Sequence, residues 1–251
     1  MVLGGDRQHL GVNPRHCVVR GRPDQPTSSG VINFPIPILI AGFAGGTFSP
    51  ISMQAKLNEL NSAFQPLMGT NTVRTILLDA PTIADFYNAV SKEMPQIIHI
   101  VAENGFDLES NNEVLRFPAT GAGAISQTPL QDLGKSLREI GVRVFVLEVS
   151  NTRETAQALA KYVPAVVGIQ GACGSLADAT FAVTFYRALL RTGQADFAIT
   201  EARRALHSAP PPPVSPLLGD PNRALAPVLY QATRSGLIVE PLGTKTQTRA
   251  A

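Results

Sequence analysis

Ser150 closes the apolar run Val142-Arg-Val-Phe-Val-Leu-Glu-Val and opens a polar stretch, Asn151-Thr152-Arg153-Glu154, that passes into helical spacing. A hydroxyl at the carboxyl end of a strand, just ahead of a helix, stands where the chemistry of parallel α/β sheets collects. Serine attacks only when a neighbouring base takes its proton. The end of another apolar run, Gln96-Ile-Ile-His-Ile-Val-Ala102, offers Glu103 and Asn104. A carboxylate with an ordinary pKa of about 4 is a weak base, and Glu103 would serve only if burial raised it. Cys173 is the rival nucleophile, in the turn Gln170-Gly-Ala-Cys-Gly174 that leads out of an apolar strand. A helix amino terminus beside it would lower its thiol pKa. Each residue also has a plain structural reading. Ser150, Asn151 and Thr152 can cap a helix, with Glu154 in the capping-box position relative to Asn151. His99, flanked by Ile98 and Ile100, reads as a hydrogen-bonded core residue.

The elements that must position these groups follow from hydrophobic period and breakers. Strands are expected at 36–41, 73–78, 96–102, 143–149 and 165–170, with a last short one at 226–230. Helices are expected from Met53 to Phe64, from Pro81 to Val90, from a capping box at Thr128-Pro129-Leu-Gln131 to Gly141, and over 153–162. A long core helix follows Ser175 and stops at Gly193, and another runs from Asp196 to Leu206 before Pro210–Pro213. Asn111 to Phe117 reads as a short strand or hairpin arm. Alternating strands and helices make an α/β protein with a doubly covered, mostly parallel sheet. Residues 1–30 read as a flexible leader, 31–235 as the domain and 236–251 as a flexible tail.

Composition narrows the function. With 251 residues and 44% hydrophobic side chains, one sizeable core can form. A net charge of +2, spread without a basic stripe, gives no sign of a nucleic-acid partner. The two cysteines, Cys17 and Cys173, and the scattered histidines match no metal-ligand spacing, and a reducing, cytoplasmic setting fits them. No apolar run reaches the length of a spanning helix, so no membrane association is expected. The turn Gly42-Phe-Ala-Gly45-Gly46 invites a nucleotide reading, but it lacks both the phosphate-loop ending and the dinucleotide glycine pattern.

Taken together, several blocks resemble a known family. Val166-Val-Gly-Ile-Gln-Gly-Ala-Cys-Gly-Ser175, then Ala179 to Phe181, Phe185-Tyr-Arg-Ala-Leu189 and Ala202-Arg203, resemble the carboxyl-terminal signature of CHAT domains. These are caspase-like domains of the clan that includes separase. Phe145-Val-Leu-Glu-Val-Ser150 lies where the family has an apolar strand ending in Leu-Asn-Ala-Cys. Ile97-Ile-His-Ile-Val-Ala-Glu103-Asn104 lies where it has His-Phe-Ser-Gly-His-Gly.

The resemblance implies a caspase-like three-layer sandwich with a mostly parallel central sheet. It also implies that two catalytic places, a histidine base ending the third strand and a cysteine nucleophile ending the fourth, meet in one cleft. Here those places hold Glu103, or Asn104 if the turn shifts by one, and Ser150. Cys173 falls on the next strand, where relatives carry an ordinary apolar side chain. Gly105, Gly171 and Ser175 would line the cleft. Both catalytic identities are replaced together, so the implied function is a degenerate module that binds a peptide, a protein partner or another copy of itself. It would need no cofactor and no metal. The alternative is an active hydrolase using Ser150 with Glu103, or Cys173.

Overall fold

The computed structural model describes residues 19–21, 34–43, 50–102, 114–118, 125–149, 152–170, 179–208, 226–232 and 236–239. Along the chain these form β1 (Arg20–Gly21), β2 (Ile36–Phe43), α1 (Pro50–Gly69), β3 (Val73–Asp79), α2 (Ile83–Glu93) and β4 (Ile97–Ala102). There follow β5 (Val114–Pro118), β6 (Ile125–Pro129), α3 (Leu130–Ile140), β7 (Val144–Glu148), α4 (Arg153–Leu159) and β8 (Ala165–Ile169). The last are α5 (Thr180–Thr192), α6 (Ala195–Ser208) and β9 (Pro227–Gln231).

The central sheet has the order β1-β9-β8-β7-β4-β2-β3. From β3 through β8 every neighbouring pair is parallel, β9 runs antiparallel to β8, and β1 runs parallel to β9. Side chains alternate across each strand, so β4 sends Ile97 and Val101 to one face and Ile98 and Ile100 to the other. The first face packs under α1, α5 and α6, and the second under α2, α3 and α4. This is the three-layer α/β sandwich expected of strands that are apolar on both sides. β5 and β6 form a separate antiparallel pair.

Several boundaries differ from the sequence expectation for local reasons. α2 starts at Ile83 rather than Pro81, because Thr82 accepts from the Asp85 N–H and Asp85 bonds back to Thr82. α3 has no capping box: Pro129 ends β6 opposite Val114, and no side chain caps the helix. Thr152 stands at the start of α4 without a side-chain cap bond. The sheet takes in Arg20–Gly21 from the segment read as a leader, paired with Tyr230 and Gln231. From the segment read as a tail, Ile238 and Val239 are buried, and both donate to the Gly193 carbonyl at the α5–α6 turn.

Close approach of α4 to β8 depends on Gly168. A Cβ there would lie 2.7 Å from the Ala156 Cβ and 2.8 Å from the Thr152 carbonyl oxygen. Gly168→Ala should therefore destabilise the protein by about 1–3 kcal/mol, seen as a lower denaturant midpoint with an unchanged slope. An unchanged midpoint would mean that α4 is not held this close.

Candidate functional site

β4 and β7 are neighbours in the centre of the sheet, parallel and in register from Ile97 opposite Val144 to Val101 opposite Glu148. Their carboxyl ends therefore open side by side on one edge of the sheet. The residues singled out from the sequence, Glu103, Asn104, Gly105, Ser150, Gly171, Cys173 and Ser175, all lie outside the described residues. Asn151 does as well. What is described are the fixed points around them.

On either side of Ser150 and Asn151 the chain is pinned. Val149 is buried, and so is Thr152. Thr152 does not turn its hydroxyl forward into α4. Its Oγ1 donates to the Val149 carbonyl at 3.0 Å and accepts from the Ile169 N–H at 2.9 Å. Its own N–H donates to the Ile169 carbonyl at 2.9 Å. One threonine thus ties the elbow after β7 to the end of β8, which satisfies backbone groups that the parallel ladder would leave unpaired.

Beneath this edge lies a polar cluster inside the α1–α5 face of the core. His99 of β4 and Glu148 of β7 point to the same face, and His99 Nε2 is 3.0 Å from Glu148 Oε2. Lys56 Nζ of α1 reaches the other carboxylate oxygen at 2.8 Å. The Tyr186 hydroxyl of α5 is 3.0 Å from His99 Nδ1. His99, Glu148 and Tyr186 are 0%, 1% and 1% exposed. Phe64 packs on Tyr186 with ring centroids 5.0 Å apart, and Phe185 does so at 5.2 Å.

The hydrogen bonds set the protons. Burial pushes the Glu148 carboxyl up, but the Lys56 ammonium and the bond from His99 outweigh it and leave the group below its ordinary value. Burial, with the Glu148 charge nearby, pushes the Tyr186 phenol well above its ordinary value. A carboxylate accepts on Oε2, so His99 carries a proton on Nε2; with the ring neutral, Nδ1 accepts from the Tyr186 hydroxyl. The cluster is then charge-balanced: one ammonium, one carboxylate, one neutral imidazole and one neutral phenol.

Hydroxyl, imidazole and carboxylate in a row have the order of a nucleophilic triad. Here no substrate can reach the hydroxyl, because all three groups are sealed in the core. The arrangement does something else: it occupies both ring nitrogens of His99. The other described histidine, His207, is exposed in the last turn of α6. His99 is thus the hydrogen-bonded core residue that its sequence context indicated.

The sequence reading did not bring Lys56, Glu148 and Tyr186 together. A signal for them was present in the spacing. Lys56 is three residues after Met53 and four before Leu60, both buried, so it lies on the apolar side of α1. Glu148 is an acid at the end of a wholly buried strand. A charge in such a place needs a partner. No protein-family model matches the chain, and neither does any curated protein. Among the described residues, no group of His, Cys, Asp and Glu could hold a metal, and no helix is long and apolar enough to cross a membrane.

The depressed Glu148 pKa carries a definite sign. Its stabilisation is present above the unfolded-state pKa and is lost as pH falls through the lower folded-state value. At neutral pH, Glu148→Gln removes the carboxylate that pairs with Lys56 and should cost about 3–5 kcal/mol. Chemical denaturation of wild type and variant should show that gap closing as the solution is acidified below about pH 4. A gap that stays constant down to complete acid unfolding would mean that Glu148 is not ionised in the folded protein.

Proposed function

We propose that this chain is a catalytically degenerate CHAT-type, caspase-like module that binds an extended peptide or protein segment at the carboxyl ends of β4 and β7. The observation that carries the reading is the adjacency of those two strands. The CHAT resemblance requires the third and fourth long strands of the sheet to end beside one another, and β4 and β7 do so, parallel and in register. In the sequence Glu103 follows directly on the end of β4, and Ser150 comes two residues after the end of β7. Further support comes from the histidines. The imidazole on β4 is turned inward and bonded at both nitrogens, so it offers no base to a hydroxyl at position 150.

Loss of base and nucleophile together removes nearly all turnover, because the two act as one unit. It does not remove binding. Clefts of this type hold an extended chain largely through main-chain hydrogen bonds, which need no catalytic side chain. Thr152 bonds to Val149 and Ile169 and so holds together the described residues that would border such a cleft. The partner is a protein or peptide, with a second copy of the chain as one candidate, in a reducing, cytoplasmic setting.

The purified chain should cleave nothing in a mixed peptide pool, with Ser150→Ala and Cys173→Ala indistinguishable from wild type. Ser150→Cys alone and Glu103→His alone should stay inactive as well, each lacking the other half of the pair. Peptide-library selection should still recover extended ligands, and their binding should be lost when Ser150 is replaced by a bulky residue. Cleavage by wild type that either alanine substitution abolishes would overturn this reading in favour of an active hydrolase and would name its nucleophile.

A further inference from the structure

Lys56 comes to the buried cluster from α1, whereas the other members come from the sheet and α5. Between Met53 and Lys56, Met53 is the one side chain in the core, whereas Leu57, Leu60 and Phe64 anchor the rest of the helix. Glu148, His99 and Tyr186 sit on β7, β4 and α5, and they stay together if the start of α1 loosens. The charged and titratable groups facing Glu148 are Lys56 from α1, His99 from β4 and Tyr186 from α5. β2 and β8 bring only uncharged side chains. Glu59, one turn beyond Lys56, is turned to α5, where it accepts from the Ala179 N–H at 3.0 Å.

We propose that the start of α1 is a proton-coupled latch, in which release of Lys56 from Glu148 is accompanied by uptake of one proton by the Glu148–His99 pair. While the latch is closed, the ammonium and the carboxylate cancel and His99 is neutral. When it opens, Lys56 carries its charge into water and the carboxylate is left in the apolar interior without its counter-ion. One proton from solvent restores neutrality. It goes to the freed Glu148 Oε1, where burial without the ammonium favours the neutral acid. No covalent bond changes. β2 is parallel to β4 and β7, so α1 begins on the same edge of the sheet at which those strands end. The latch therefore lies under the carboxyl edge of the sheet. It stands on the buried cluster alone and not on the binding reading.

Linkage fixes how the latch responds to pH: an opening that takes up one proton becomes easier as pH falls. Native-state hydrogen exchange of the full chain between about pH 6 and pH 8, corrected for intrinsic exchange, reads this directly, since ordinary carboxylates do not titrate there. The opening constant of the amides from Met53 to Leu57 should rise on acidification by up to about tenfold per pH unit. The amides of α2 should show no such slope. In Lys56→Met the Glu148–His99 pair already holds its proton, so the slope in α1 should vanish. An α1 slope that is absent in wild type, is shared by α2, or persists in Lys56→Met would overturn the latch. If Lys56→Met does not fold, Lys56→Gln makes the same comparison, and the contrast of α1 with α2 in wild type decides by itself.

Discussion

A carboxylate at the end of a central strand has to find its counter-charge inside the protein, and Glu148 finds it in Lys56. Taking each ion out of water costs several kcal/mol, and only close pairing with further hydrogen bonds offsets that. The pairing has consequences for the whole α1–α5 face of the sheet. α1 must lie where Lys56 can reach the carboxylate. His99 must face Glu148 with one nitrogen, which leaves the other to Tyr186 and so places α5. Apolar packing of Phe64, Phe185 and Tyr186 fills the space around this chain of bonds. Packing of that kind tolerates small slides between helix and sheet. A chain of three polar contacts at 2.8–3.0 Å, ending in a buried phenol, does not.

The sheet was legible in the sequence because its strands are wholly apolar. β7, β8 and β9 are buried at every position, and such runs bounded by turns announce themselves. Boundaries were less legible. α1 continues through Pro66 to Gly69, past the expected stop at Phe64, because a proline near the end of a helix removes one hydrogen bond without breaking the turns before it. At α2, Pro81 suggested the first helical position, whereas the Thr82–Asp85 pair makes Thr82 the cap and starts the helix two residues later, at Ile83. The pairing of Val114 with Pro129 could not be read from either segment alone, and it turned an expected helix start into a strand end.

The candidate site divides in the same way. That the third and fourth long strands lie side by side was expected only from the CHAT resemblance, and β4 and β7 are neighbours. The buried cluster was not, since Lys56, His99, Glu148 and Tyr186 are scattered along the chain and only the register of β4 against β7 brings two of them to one face. His99 was read correctly as core. Its partners were hidden because a lone charge in an apolar run looks the same whether it faces solvent or a buried ammonium. The role of Thr152 was hidden for a related reason: cap residues are read forward into the helix, and this one bonds backward to Val149 and sideways to Ile169.

At the centre of this account is one claim: the imidazole on β4 belongs to the core and is committed at both nitrogens, so it is not available as a base. Nitrogen NMR of the His99 ring in the folded wild-type protein at neutral pH tests that most directly. The account predicts a neutral ring protonated at Nε2, with Nδ1 showing the shift of a hydrogen-bond acceptor, and a change confined to Nδ1 in Tyr186→Phe. An Nδ1–H tautomer, or a ring indifferent to the loss of the Tyr186 hydroxyl, would contradict it.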